Sequence, residues 1–178
     1  MKKKSLIVFI SCFIIIVLHS CLVLGEEKEI RLNKGEWKKL NTFFSNFSEV
    51  FLKPFEKGQI NNEELISFGV FHNERNCEKV FETYDSSHMK LNKKYVEASI
   101  EKYFGIKSVK HESIGDAIYQ DGYYIIPYGD GEAYLFSQVT KFIDIGNGYY
   151  TVYLNIYVAS SGFTGDPNGS LKTWQEDK

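Results

Sequence analysis

Cysteine is scarce in this chain: Cys12, Cys21 and Cys77 are the only three among 178 residues. Cys12 falls inside an apolar leader and Cys21 at its end, so Cys77 stands alone in the domain that follows. That excludes an internal disulfide there, and with it the small stapled scaffolds of secreted proteins. An excess of positive charge is missing as well. Without Lys2, Lys3 and Lys4 the 21 basic residues fall to 18, against 23 acidic ones. This is the wrong balance for nucleic acid, whose phosphates need a basic face, and for holding an acidic membrane by charge alone. The glycine-flanked serine of hydrolases, G-x-S-x-G, does not occur. His72, Cys77, His88 and His111 are the soft ligand candidates, and no pair of them has the short spacing of zinc sites. No catalytic residue, metal ligand or cofactor is therefore expected from motifs.

What the chain does have is a leader. "MKKKSLIVFISCFIIIVLHSC" carries a lysine-rich start, an apolar run from Leu6 to Leu18, and the small Ser20 before Cys21. These are the three parts of an export signal, and the lysines hold the cytoplasmic side while the rest is pushed outward. A buried core helix would show a polar stripe, which this run lacks. Leu18, His19, Ser20 and Cys21 match a bacterial lipobox at three positions, with His19 the departure. The expected layout is a lipoprotein-type signal peptide over 1–20, a tether over 21–33 and a single globular domain over 34–178. Two alternatives stay open at this point. The apolar run extends to Leu24, roughly 19 residues and within the ~17–25 needed for an uncleaved anchor; cleavage after Gly25 would release the domain. Lipidation of Cys21 leads, because the cysteine sits at the end of the apolar run behind an acceptable small residue. A diacylglycerol thioether supplies two chains, enough for stable anchoring.

Three helices are predicted first. Trp37, Leu40, Phe44 and Phe47 recur at helical spacing, with Asn33 as cap and Glu36 placed to complete a capping box. Pro54 ends that region. Asn61 caps a second helix, with Glu63 and Glu64 in its first turn and Leu65, Phe68 and His72 on one face. Asn92 caps the third, where Val96, Ile100 and Tyr103 line the buried side and Gly105 supplies the left-handed exit. From Ser108 the period changes to 2. Asp121-Gly122 and Asn147-Gly148 read as two-residue hairpin turns between strands. The fold class is therefore α+β: N-terminal helices packed on a C-terminal curved antiparallel meander, with a strand around Val80 to Tyr84 at one edge. This order resembles cystatin-like and nuclear transport factor 2-like layouts, a topological likeness that names no function.

Candidate chemistry is thin. Cys77 with His111 would make a thiol–imidazole pair only if the fold brings them together. Glu112 beside His111 on a strand points to the opposite face. Asp130 and Glu132 in "YGDGEA", like "TGDPNGS", offer too few oxygens for calcium and read better as turns. The last strand is the best binding candidate. Its alternation places Tyr150, Val152, Leu154, Ile156 and Val158 on the core side and Tyr149, Thr151, Tyr153, Asn155 and Tyr157 on the other. Tyr149, Tyr153 and Tyr157 would form a stripe suited to a peptide or a glycan, since each ring pairs an apolar face with a hydroxyl.

As a whole, from its lysine-led signal through "LHSC" to the helix-then-strand domain, the chain resembles uncharacterised lipoproteins of low-GC Gram-positive bacteria. Arg31 and Arg75 are the only arginines, against 19 lysines, a bias that suits an AT-rich bacterial genome. The resemblance implies a lipid on Cys21, palmitate-type acyl chains in the membrane and a domain facing the extracytoplasmic side. It implies no activity. The function expected is a non-enzymatic binding module, with a small hydrolase and a structural envelope spacer as the alternatives.

Overall fold

A computed structural model of the chain describes residues 27–56, 58–129, 134–159 and 163–176. The leader and Cys21 lie outside the described residues, as do Asp130 and Glu132. In chain order the elements are β1 (Lys28–Glu29), α1 (Lys34–Ser48), α2 (Asn62–Asn76), a 3-10 turn (Glu78–Val80), β2 (Phe81–Thr83) and β3 (His88–Asn92). Next come α3 (Lys93–Phe104), β4 (Ile118–Gln120), β5 (Tyr123–Pro127), β6 (Tyr134–Gly146), β7 (Tyr149–Ala159) and α4 (Leu171–Glu176). The chain is α+β, with its longest strands in the C-terminal half. The strands do not form one meander: they divide between a sheet of order β2-β3-β5-β4 and a sheet of order β1-β6-β7, both antiparallel. β5 ends on Pro127, one further bond from Tyr128 N–H to Ser87 O at 3.0 Å closes its ladder with β3, and β6 begins in the other sheet. The described elements accordingly group into two compact units, one the continuous stretch Val50–Asp130, the other made from chain on both sides of it.

In the continuous unit the local signals act as read. The Asn61 side chain accepts from the Glu64 amide, the Asn92 side chain from the Lys94 amide, and Gly105 closes α3 at φ 69°. Asp121 and Gly122 take φ 50° and 82° between β4 and β5, the turn that matches strand twist. Leu65, Ile66 and Val70 of α2 and Val96 and Ile100 of α3 share one core with Leu91, Tyr124 and Ile126 of the sheet. The helices approach closely because α2 presents Gly69 to Val96. Asn73 is buried beside it and ties the pair together, donating to Gly69 O, Ser99 Oγ and Tyr95 O at 2.7, 2.9 and 3.2 Å.

The other unit is built on the β6–β7 hairpin, turned by Asn147 and Gly148 at φ 55° and 78°. Asn33 caps α1 in a complete capping box with Glu36. Trp37, Leu40, Phe44 and Phe47 are only half-buried, whereas Asn46 and Glu49 are buried. The reason is the way α1 meets β6. It lies along the outer side of the strand, where Ser137 N–H donates to Ser45 Oγ at 2.9 Å and Val139 N–H donates to Asn41 Oδ1 at 2.8 Å. Farther along the same side β1 pairs Lys28 with Asp144 and Glu29 with Ile143. The free edge of β6 is thus closed partly by a strand and partly by helix side chains. At the far end Phe136, Tyr157 and Trp174 form a small separate core with Phe163 against them.

Candidate functional site

The tyrosine stripe lies on one face of the β6–β7 sheet, as alternation predicts, but its members differ in access. Tyr149 and Tyr153 are 42% and 40% exposed. Tyr157 is buried: its ring lies 5.3 Å from Phe136 and 5.1 Å from Trp174. Trp174 is fixed over it by an indole N–H donated to Asp166 O at 2.7 Å. That carbonyl belongs to the "TGDPNGS" turn, where the Asn168 amide also donates to the Asp166 carboxylate at 2.9 Å and holds it below the usual aspartate range. The segment is a turn that carries the lid of the small core. Two residues of the stripe are therefore partly exposed, and the third is covered by residues beyond the strand.

Beside the exposed tyrosines lies a charged pair. Lys141 is paired with Tyr153 across the ladder, its Nζ 5.8 Å from the ring centroid and 3.7 Å from the Glu29 carboxylate. Four residues separate Tyr149 from Tyr153, about 13 Å along the strand. Two exposed tyrosines and a lysine thus share one face of the sheet, a surface of rings and charge that an extended chain could contact. The opposite row departs from its expected role as the core side. Tyr150 is 49% exposed and stacks on Phe142 at 4.9 Å, and Val152, Leu154, Ile156 and Val158 are each half-buried. α1 packs along β6, the inner strand of the hairpin, and leaves this row of β7 partly open.

The histidines are placed separately. His72 is buried in α2, stacked on Phe68 at 5.2 Å with Asn76 Nδ2 3.2 Å from its Nδ1. His88 opens β3, its Nδ1 2.9 Å from Asp85 of the β2–β3 turn. The Ser87 amide and the His88 side chain lower the Asp85 carboxyl from its ordinary value. His111 has both ring nitrogens engaged, Nδ1 2.8 Å from Tyr124 Oη and Nε2 2.8 Å from Glu97 Oε1. The Tyr124 hydroxyl is pushed far up, chiefly by burial and then by the neighbouring Tyr119, which disfavours a phenolate at this place. Glu97 carried no signal in the sequence, because it stands 14 residues from His111 on a different element. Residues 105–113 form neither helix nor strand, so the strand parity expected for His111 and Glu112 does not apply; Glu112 accepts from Asn62 Nδ2 at 2.8 Å. That bond and Lys110 keep its carboxyl below the usual range. Cys77 is a half-buried free thiol at the C-cap of α2, and no thiol–imidazole pair forms with His111, whose nitrogens are committed elsewhere.

Two further features bear on chemistry. Among the described residues no three His, Cys, Asp or Glu side chains gather as a metal-holding group. A cleft of about 160 Å³ lies between the Val50–Lys53 segment and the start of α2, lined by Phe51, Lys53, Asn61, Glu64 and Phe68. Its cap oxygen on Asn61 accepts from the Glu64 amide. Comparison of the chain with protein-family models, curated proteins and solved structures finds no match.

Proposed function

We propose that this chain is an extracytoplasmic lipoprotein, held to the membrane by a diacylglycerol on Cys21, whose folded domain binds an extended peptide or glycan and catalyses nothing. The observation that carries the binding half is the exposure of Tyr149 and Tyr153 beside Lys141 on one face of the sheet. Exposed tyrosines on a regular strand are what a polar chain with apolar faces stacks upon. The anchoring half rests on the leader, whose lysines, apolar run and "LHSC" junction fit a signal ending at an acylated cysteine. Because β1 already joins the sheet at Lys28, only the few residues between Cys21 and β1 would act as a tether and leave the domain close to the envelope surface, where peptides and glycans are abundant.

The hydrolase reading finds less support. It needs a nucleophile within reach of a free base, and the base it would use, His111, is held between Glu97 and a buried tyrosine.

Two measurements test the halves separately. The mass of the N-terminal fragment from membranes of the producing cell is expected to show a diacylglycerol on Cys21 that disappears in Cys21→Ser. An unmodified chain starting at Met1, or one starting at Glu26, would refute the lipid anchor. For binding, Tyr149→Ala with Tyr153→Ala is expected to abolish retention of the purified domain on cell-wall glycan and peptide fragments while leaving its near-UV circular dichroism intact. Equal retention by the double variant would remove the two tyrosines from the account.

A further inference from the structure

We infer that the outer side of β7 is a pairing surface for a second copy of this chain, the two β7 strands running antiparallel about a two-fold axis at Leu154. The two three-stranded sheets then become one sheet of six strands.

The inference starts from how the two edges of the sheet are treated. On the β6 side, β1 and the side chains of Asn41 and Ser45 occupy the outward backbone groups. On the β7 side, among the described residues, no strand is paired and no backbone group of residues 151–156 bonds outside β6. An edge strand left this way is a template for another chain, and proteins that do not use it blunt it with charge, proline, a bulge or a short length. β7 has none of these. Its sequence "YYTVYLNIYVA" holds no charged residue, no proline and no glycine over 11 residues. Both register shifts of the hairpin consume extra residues of β6, at Thr140 and Ile145, while β7 runs unbroken from Tyr149 to Ala159. The segment that follows β7 leads away from this edge: Gln138 of β6 donates to Pro167 O and Gly169 O, and Asn41 of α1 donates to Asn168.

The choice of occupant follows from the residues. With the axis at Leu154, Val152 stands opposite Ile156 of the other copy and Tyr150 opposite Val158, all in the half-covered apolar row. On the other face Tyr153 stands opposite Asn155. Apolar meets apolar, polar meets polar, and no charge meets its like anywhere along the strand. The apolar row that α1 leaves partly open is flanked by its own copy, which extends the sheet and covers its rim. A foreign peptide would have to bring that match with it, and an identical strand has it by symmetry. The inference is independent of the lipid anchor and of the tyrosine stripe, which lies on a face of the sheet and not at its edge.

The test is cross-linking in the full chain with Cys12, Cys21 and Cys77 replaced by serine, which also removes any lipid. Leu154→Cys places two thiols across the axis, within disulfide reach for directly opposed strands, whereas Tyr153→Cys places them a diagonal apart. Mild oxidation is expected to link Leu154→Cys into dimers about tenfold faster than Tyr153→Cys. Light scattering should also give a dimer for the unmodified domain sequence and a monomer for Tyr153→Lys, a change at an exposed site whose fold is checked by near-UV circular dichroism. Equal cross-linking at both positions, a monomer in the absence of the substitution, or a dimer that persists in folded Tyr153→Lys would each overturn the inference. So would an open ladder of oligomers, which a closed two-fold cannot build. Pairing seen only when an unrelated strand-forming peptide is added would assign the edge to a different occupant and overturn it too.

Discussion

Gly69 sets the distance between α2 and α3, and its environment lets two opposing effects be weighed. A Cβ at this position would fall 2.6 Å from Val96 Cγ1 and 3.0 Å from Val96 O. Alanine in a helix interior is worth up to about 1 kcal/mol over glycine. Overpacking a tight contact costs about 1–3 kcal/mol, and here one of the two obstructing atoms is a backbone carbonyl that cannot rotate away. The packing term wins, so Gly69→Ala is expected to destabilise the chain by roughly 1–2 kcal/mol, read as a lower urea midpoint with unchanged slope. A raised midpoint would mean that α3 yields at Val96 and that the contact is softer than its geometry implies. The same helix pair shows how a polar core is kept satisfied. Asn73 reaches three acceptors: the Gly69 carbonyl one turn back, Ser99 Oγ and the Tyr95 carbonyl.

At the scale of elements, α1 serves as the cover of a strand edge, which its amphipathic pattern does not announce. Removing the acceptors by Asn41→Ala with Ser45→Ala leaves two part-buried amides of β6 without partners, at about 1–3 kcal/mol each. The double variant is expected to lose several kcal/mol, and its Ser137 and Val139 amides should exchange with deuterium far faster than those facing β7. Unchanged exchange would show that water already reaches them. What the sequence made legible here is what is local. Caps at Asn33, Asn61 and Asn92, the exit at Gly105, and the turns at Asp121-Gly122 and Asn147-Gly148 depend on residues within four positions of one another. What stayed hidden depends on distant chain. The outer side of β6 is taken by β1 and α1, more than 90 residues upstream, and not by the neighbouring β5. Whether Tyr157 is exposed is decided by Trp174, which alternation along β7 cannot register. The exposed part of the tyrosine stripe was readable; its covered end was not.

For the molecule as a whole, the main fact is the order in which its parts are completed. Val50–Asp130 is one uninterrupted length of chain with its own core, while the unit around β6 needs residues from both sides of it. The continuous unit closes its contacts over short loops, and the other must wait for β6 and β7. A fragment of residues 50–130 is therefore expected to show a cooperative urea transition alone, whereas residues 1–49 show none; a fragment without a transition would make the two units a single folding cooperative. The short β1 has a mechanical meaning as well. It is held to β6 by two register pairs and by the Ile30 amide on Phe142 O at 2.9 Å, and α1 behind it is gripped by Asn41 and Ser45. Tension arriving from the N-terminal side is borne first by that brief ladder. Its release pays out residues 27–33, about 23 Å of slack, before α1 takes the load. In a force-clamp record this appears as a small early step ahead of the rupture of the β6–β7 ladder, so that the first strand behaves as a fuse and spares the sheet behind it.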